Sequence, residues 1–225
     1  MPRTKPFDEH IDEYEQWFVR NRFVFLSELA ALKNAVPASG CGMEIGVGSG
    51  RFAAPLGIRD GVDPSPAMRA KASERRVHAC AGVAEDLPYA DERFDYALMV
   101  TTLCFVDDVP RAFREARRVL KQYGTFIVGF VDKASPLGQA TLQRKDESVF
   151  YREAVFFSTE EVHDLLGQAG FAVAATQQTV FGTPGSIRAV QPPRDGHGRG
   201  GFVVVRALKN GPAGVPVTEK QASLL

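Results

Sequence analysis

An excess of charge of one sign, long apolar runs and pairable cysteines are all missing here, and each absence removes a class of function. Lys plus Arg and Asp plus Glu both number 27 among 225 residues, so no global field selects nucleic acid or an anionic membrane. From Gly182 onward six Lys/Arg face two Asp/Glu, a mild local excess that reads as solvated surface. No apolar run approaches the ~20 residues needed to cross a bilayer. The opening stretch MPRTKPFDEHIDEYEQWF lacks the apolar core of a signal peptide, which makes a cytoplasmic location the expectation. Three cysteines, Cys41, Cys80 and Cys104, are odd in number, widely spaced and set in apolar contexts. Buried reduced thiols are expected from them, with neither a disulfide framework nor a metal site.

What is present is an ordinary globular composition, 44% hydrophobic and 24% charged, enough for one domain with additions. Ile11, Tyr14, Trp17, Phe18, Phe25, Leu29 and Leu32 recur at threes and fours, which predicts one long helix over residues 11 to 34. From Cys41 short apolar strands alternate with helices: CGMEIGV, RDGVD, VHACAG, FDYALMVTTL and TFIVGFV read as the first five strands. Ser65 before Pro66 marks one helix start. Asp107 and Asp108 before Pro110 open a second helix, with Gly124 as its expected stop. Ser158 and Glu161 form a capping-box pair for a third, ending near Gly170. The span 132 to 157 reads as irregular. Two final strands, FAVAATQQTVF and GFVVVRAL, have no helix between them and should pair as an antiparallel hairpin at the edge of a mostly parallel sheet.

The loop in MEIGVGSGRF carries Gly46, Gly48 and Gly50 directly after the first strand. Glycines there allow positive φ and let a ligand touch the main chain at a helix start. A phosphate-binding P-loop needs Lys and Ser/Thr after the last glycine, but Arg51 and Phe52 follow Gly50. A nicotinamide or flavin loop needs G-x-G-x-x-G, and this one is a residue short. A purely structural turn is the remaining alternative. Asp63, ending the second strand, offers two acceptor oxygens suited to a ribose diol, or a cap for the helix that follows. Glu85 and Asp86 lie after the third strand, where a side chain with the backbone of Ala84 and Glu85 can read an adenine edge while Leu87 packs on the ring. Thr101 and Thr102 emerge from the fourth strand toward the same crevice.

The set EIGVGSGRF, GVDPSPAM, AEDLPYADERFDYALMVTT and REARRVLKQYGTFIVG, in that order and spacing, resembles the class I S-adenosylmethionine-dependent methyltransferases. Within them the match is to the small-molecule group that includes the ubiquinone/menaquinone-type enzymes, over about Met43 to Val131. A smaller set of bacterial and archaeal methyltransferases is similar in EYEQWF, RFVFLSEL and MVTTLCFVDD. The resemblance implies an α/β Rossmann-like fold: a seven-stranded, mostly parallel sheet of order 3-2-1-4-5-7-6 with strand seven antiparallel. Helices would cover both faces, beneath an N-terminal helical lid.

By position, the resemblance places Glu44 and the loop Gly46, Val47, Gly48 and Gly50 against the methionine moiety. It puts Asp63 on the ribose, and Pro64, Met68, Ala84, Glu85 and Leu87 around the adenine. Thr101 would lie near the sulfonium, with Tyr14 and Trp17 in the lid. The implied organisation is a lid over residues 1–40, a methyltransferase domain over 41–209 and a flexible tail over 210–225. Segments 132–157 and 182–200 would be acceptor-side insertions, the first bringing the aromatics Phe150, Tyr151, Phe156 and Phe157.

The expected reaction is in-line methyl transfer to a small-molecule acceptor by a monomer or homodimer, with no nucleic acid and no membrane. Non-catalytic cofactor binding and nicotinamide-dependent oxidoreduction are the rivals. His10, Tyr14, His163 and His197 are candidate bases, none with a motif that singles it out. The basic residues of the helix before the fifth strand, Arg111, Arg114, Arg117, Arg118 and Lys121, could touch phosphate, but are expected on a solvated face away from the site.

Overall fold

A computed structural model of the chain describes residues 4–210. Three helices open it: α1 (Lys5–Glu9), α2 (Ile11–Arg20) and α3 (Arg22–Ala35). The single long helix expected over 11 to 34 is therefore broken at Asn21, whose φ of −110° and ψ of 38° leave the helical region. The side-chain amide of Asn21 donates to the Trp17 carbonyl, satisfying the end of α2 locally.

The domain then runs β1 (Gly42–Ile45), β2 (Asp60–Val62), α4 (Pro66–Glu74), β3 (His78–Cys80), β4 (Phe94–Val100), α5 (Val109–Val119) and β5 (Leu120–Val131). It continues through α6 (Pro136–Gln143), α7 (Thr159–Gln168), β6 (Phe171–Thr179), β7 (Arg194–Asp195) and β8 (Phe202–Lys209). The sheet order is β3-β2-β1-β4-β5-β8-β6-β7. The first five strands are parallel, while β8 lies antiparallel between β5 and β6. This is the expected order, with β8 as the seventh strand and a two-residue strand, β7, added beyond β6.

The predicted helix starts are built as the residues dictate. Ser65 Oγ accepts the Met68 amide, Asp108 accepts the Arg111 amide, and Ser158 and Glu161 satisfy each other's backbone donors. Two expectations fail and a third holds only in part. Gly124 does not close α5, which ends at Val119 and passes directly into the long strand β5. The glycine loop leads not into an α-helix but into a single 3-10 turn, Ala54–Leu56. Segment 132–157 is irregular only in part: Ser135 caps α6 by accepting the Gly138 amide, a start hidden by the Gly and Pro on either side, and turns and coil fill most of the remainder.

Central strands alternate between two cores because successive side chains face opposite ways. Ala97, Met99, Phe126 and Val128 face α5 and α7. Leu98, Val100 and Ile127 face α3, meeting Ala31 and Leu32. Both faces of β4 and β5 are covered, which leaves the carboxyl ends of the parallel strands as the open side of the fold. Cys41 is exposed rather than buried, Cys80 and Cys104 are half-buried, and none of the three is in a disulfide. The flexible-tail expectation for 210–225 lies, apart from Asn210, outside the described residues.

Candidate active site

A cavity of about 710 Å³ opens over the carboxyl ends of β1, β2 and β4, roofed by α1, α2 and the start of α3. Its size falls within the ~300–1,000 Å³ of small-molecule sites. Order β3-β2-β1-β4 explains its position: strands leave β1 in opposite directions, and their loops part to form a crevice.

Gly46 and Gly48 floor it with φ of +68° and +51°. A β-carbon on Gly46 would collide with the Thr102 side chain, whose hydroxyl donates to the Gly46 carbonyl at 3.1 Å. One on Gly48 would come within 3.1 Å of the Tyr14 hydroxyl. Backbone access is thus the reason for glycine at both positions.

Asp63 joins this loop to the end of β2. One carboxylate oxygen accepts the Gly48 amide at 2.8 Å and the other accepts the Ser65 amide at 2.9 Å. Asp63 therefore fastens backbone on two sides, while Ser65 supplies the cap of α4; bordering the cavity, the carboxylate retains free lone pairs. Burial raises its carboxyl above the usual range, opposed by the two amides and by Arg69.

Beneath lies Glu44, 1% exposed. Burial pushes its carboxyl well above the usual range; the Ala53 amide opposes this and the Asp63 charge adds to it. One Glu44 oxygen is buried with no hydrogen-bond partner, an unmet acceptor at the floor of the cavity.

The adenine-side candidates Pro64, Met68, Ala84 and Glu85 border the same space, as do Val47, Thr101, Tyr14 and Trp17. Thr101 holds φ of +50°, a strained conformation for a β-branched residue and of the kind that gathers at functional sites. Gly50 and Leu87 do not border the cavity. Gly50 packs against Ala72 and Val77, and Leu87 is buried in the core beside α5. The Leu87 amide donates to Glu115 and its carbonyl accepts from Arg118, so α5 pulls this residue down and away. Glu85 has one oxygen committed to the amides of Asp107 and Asp108, tying the β3 loop to the start of α5.

Helix α2, which roofs the cavity, is tied to its wall by ion pairs. Glu15 of α2 pairs with Arg51 beside the glycine loop and, at 2.6 Å, with Arg75 after α4. Burial alone would raise the Glu15 carboxyl; its hydrogen bonds and the charges of Arg51 and Arg75 outweigh that and hold it below the usual range. Asp8, just ahead, accepts from the Ser65 hydroxyl at 2.5 Å.

Beyond the glycine loop the cavity continues among Val24, Glu28, Val131, Leu137, Thr141, Phe150, Tyr151 and Pro184. Segment 132–157 thus supplies much of this second half, but 182–200 supplies only Pro184. Phe156 and Phe157 line a small separate void. The histidines lie elsewhere: His163 meets Thr176 and the ring of His197, which pairs with Glu160, while His10 stands beside Glu13 and Phe150 outside the cavity lining. The arginine expectation fails at one position, since Arg111 reaches the cavity rim, whereas Arg117 and Arg118 bind backbone carbonyls away from it. Glu28 escaped the sequence reading altogether. Its signal was a carboxylate in the apolar stretch RFVFLSELAAL, three and four residues from Ala31 and Leu32 on the core-facing side.

A profile of the family described as methyltransferase domain matches residues 43–128. Over the whole fold the chain is similar to the solved structure of an S-adenosylmethionine-dependent methyltransferase of Thermotoga maritima, a possible histamine N-methyltransferase. Identity is 50%, TM-score 0.90, with 92% of this chain and 100% of that one covered. An uncharacterised protein of Methanocaldococcus jannaschii is 40% identical over 203 residues, 90% of this chain and 98% of the relative. A demethylmenaquinone methyltransferase of Roseiflexus sp. strain RS-1 is 32% identical over 171 residues, 72% and 66% of the two chains. Among the described residues no helix is long and apolar enough to cross a membrane.

Proposed function

Because the chain belongs to the S-adenosylmethionine-dependent methyltransferases, we propose that its cavity holds that cofactor over the glycine loop and a small-molecule acceptor beside it. The observation that carries this reading is the shape of the cavity. One continuous space runs from Asp63, Gly48 and Ala84 past Tyr14 to Val24, Leu137 and Tyr151, so two small molecules can share it.

The residues present fit the cofactor. Asp63 has spare acceptor capacity for two ribose hydroxyls, and the orphaned Glu44 oxygen can take a donor from the methionine end. Pro64, Met68 and Ala84 give an apolar seat for a purine. When bound, S-adenosylmethionine supplies a methyl group on a sulfonium, ready for in-line displacement by an electron-rich acceptor atom. The chain's contribution is alignment and exclusion of water. Glu15 ties α2 over the site, Tyr14 stands above Gly48, and Thr101, held at positive φ, borders the cavity at the end of β4. Such positioning is worth up to ~7–11 kcal/mol of barrier. The candidate histidines lie outside the cavity lining, so the reading assigns none of them as a base. It has the chain working as a monomer or homodimer, without nucleic acid.

Calorimetry with S-adenosylhomocysteine, followed by turnover of S-adenosylmethionine with candidate acceptors, tests the reading. Binding abolished or weakened at least tenfold by Asp63→Ala supports it; unchanged affinity removes Asp63 from the site.

A further inference from the structure

On α3, Glu28 shares a face with Val24, Ala31 and Leu32, all buried in the core. It is itself only 6% exposed, and what it faces is the far half of the cavity. Buried carboxylates are ordinarily paired, because an isolated charge loses its hydration and gains nothing in return. Among the described residues no hydrogen bond or ion pair reaches the Glu28 carboxyl, and burial is the one influence on it. The basic groups that border the cavity are otherwise placed: Arg51 is held by Glu15, and Arg20 and Arg111 are exposed at its rim.

The surroundings of Glu28 are aromatic. The Tyr151 hydroxyl feels its charge, and Tyr151 stacks on Phe105 with ring centroids 6.1 Å apart. Phe105 meets Phe7 edge-on at 5.1 Å, and Phe7 meets Phe150 at 5.3 Å. Tyr14 feels Tyr151 on one side and Glu44 and Asp63 on the other, with its hydroxyl above Gly48. Glu28 thus borders the same cavity as the glycine loop, connected to it through Tyr151 and Tyr14.

We infer that Glu28 recognises the acceptor, its carboxyl receiving the basic nitrogen of a small amine whose apolar body lies against Phe7, Tyr14, Phe105, Phe150 and Tyr151. A cation is the one partner that suits both features. It satisfies the carboxylate with a charge-assisted hydrogen bond, and it is drawn to the negative faces of aromatic rings. A neutral acceptor could take at most a hydrogen bond from the protonated carboxyl and would bring no counter-charge. Burial, with no basic neighbour to oppose it, pushes that carboxyl up to about 8. A bound ammonium would restore its ionised form. The inference rests on reading the far half of the cavity as the acceptor site.

Calorimetric titration of the full-length protein, saturated with S-adenosylhomocysteine, tests it using matched probes: 2-phenylethylamine against 2-phenylethanol, and n-butylamine against n-butanol. The amine of at least one pair should bind at least tenfold more tightly than its alcohol. Glu28→Gln should erase that preference while leaving S-adenosylhomocysteine affinity unchanged, and Glu28→Asp should retain part of it. Equal binding within every pair, no amine binding at all, or a preference that survives Glu28→Gln overturns the inference. The wild-type comparison needs no variant, so it decides the matter even if the substituted chains fold poorly. Failure to bind S-adenosylhomocysteine would instead count against the methyltransferase site itself.

Discussion

The two halves of the cavity are built on different principles. The half proposed for the cofactor consists of strand ends: Gly46 follows β1, Asp63 follows β2 and Thr101 follows β4, each a single step beyond a hydrogen-bonded ladder. The half proposed for the acceptor is gathered from α3, the end of β5, α6, the 148–151 turn and Pro184, pieces distant from one another in the chain. The first half is fixed by backbone: Asp63 binds two amides and Thr102 a carbonyl. The second is fixed by side chains packing on side chains, chiefly aromatic rings. A backbone-built seat suits a constant ligand, and a side-chain-built one can change its guest without disturbing the sheet.

The contrast predicts unequal tolerance to substitution. Gly46→Val should be the most damaging single change, because it adds a branched side chain at positive φ directly against Thr102. A loss of ~3 kcal/mol or more is expected, roughly 6–12 °C in melting temperature for a chain this size, with cofactor binding lost. A variant within ~2 °C of wild type would show the loop to be pliable.

Asp63→Ala should follow, weakening S-adenosylhomocysteine at least tenfold, about 1.4 kcal/mol. Tyr151→Ala in the acceptor half should leave that affinity within about twofold. Equal losses at both positions would erase the distinction between the halves.

Glu28 gives a test through pH. Its folded pKa of about 8 lies above the ordinary 4.5, so the folded state holds a proton that the unfolded state releases as pH rises between these values. Stability from this group is fully present below about pH 4.5 and lost as pH climbs through about 8. Relative to wild type, Glu28→Gln should therefore gain at least ~3 °C in melting temperature between pH 5 and pH 9. A constant difference across that range would show Glu28 to be ionised and paired.

Glu15→Gln should produce a smaller effect, releasing α2 from Arg51 and Arg75. Faster amide exchange in α2 and a few-fold loss of cofactor affinity are expected, whereas unaltered exchange would show that these ion pairs contribute nothing. Least of all, His163→Ala and His197→Ala should leave turnover within about twofold; a large loss would place a base where the cavity does not reach.

The same contrast explains what could be read from the sequence. The strands themselves, the capped starts of α4, α5 and α7, and the glycine loop depend on local chemistry, so contiguous residues announced them, whereas the strand order came from the family resemblance. Gly50 and Leu87 were placed in the site by position alone. Only the packing of Gly50 on Ala72, and the pull of Glu115 and Arg118 on Leu87, moves them out of it. Arg111 reached the cavity rim because α5 begins there, a matter of where the helix sits and not of its own pattern. Glu28 was missed because its meaning is tertiary: a lone carboxylate on an apolar face becomes informative only when its missing partner can be seen. Helix α6 hid behind Gly and Pro, and the break at Asn21 behind an unbroken apolar period.

Calorimetric titration of wild type, Asp63→Ala and Glu28→Gln with S-adenosylhomocysteine and with NADH tests the central claim most directly. The account predicts one-to-one binding of S-adenosylhomocysteine to wild type, weakened at least tenfold by Asp63→Ala and unchanged by Glu28→Gln, with no binding of NADH. Binding of NADH without S-adenosylhomocysteine, or a loss of S-adenosylhomocysteine affinity in Glu28→Gln equal to that in Asp63→Ala, would contradict it.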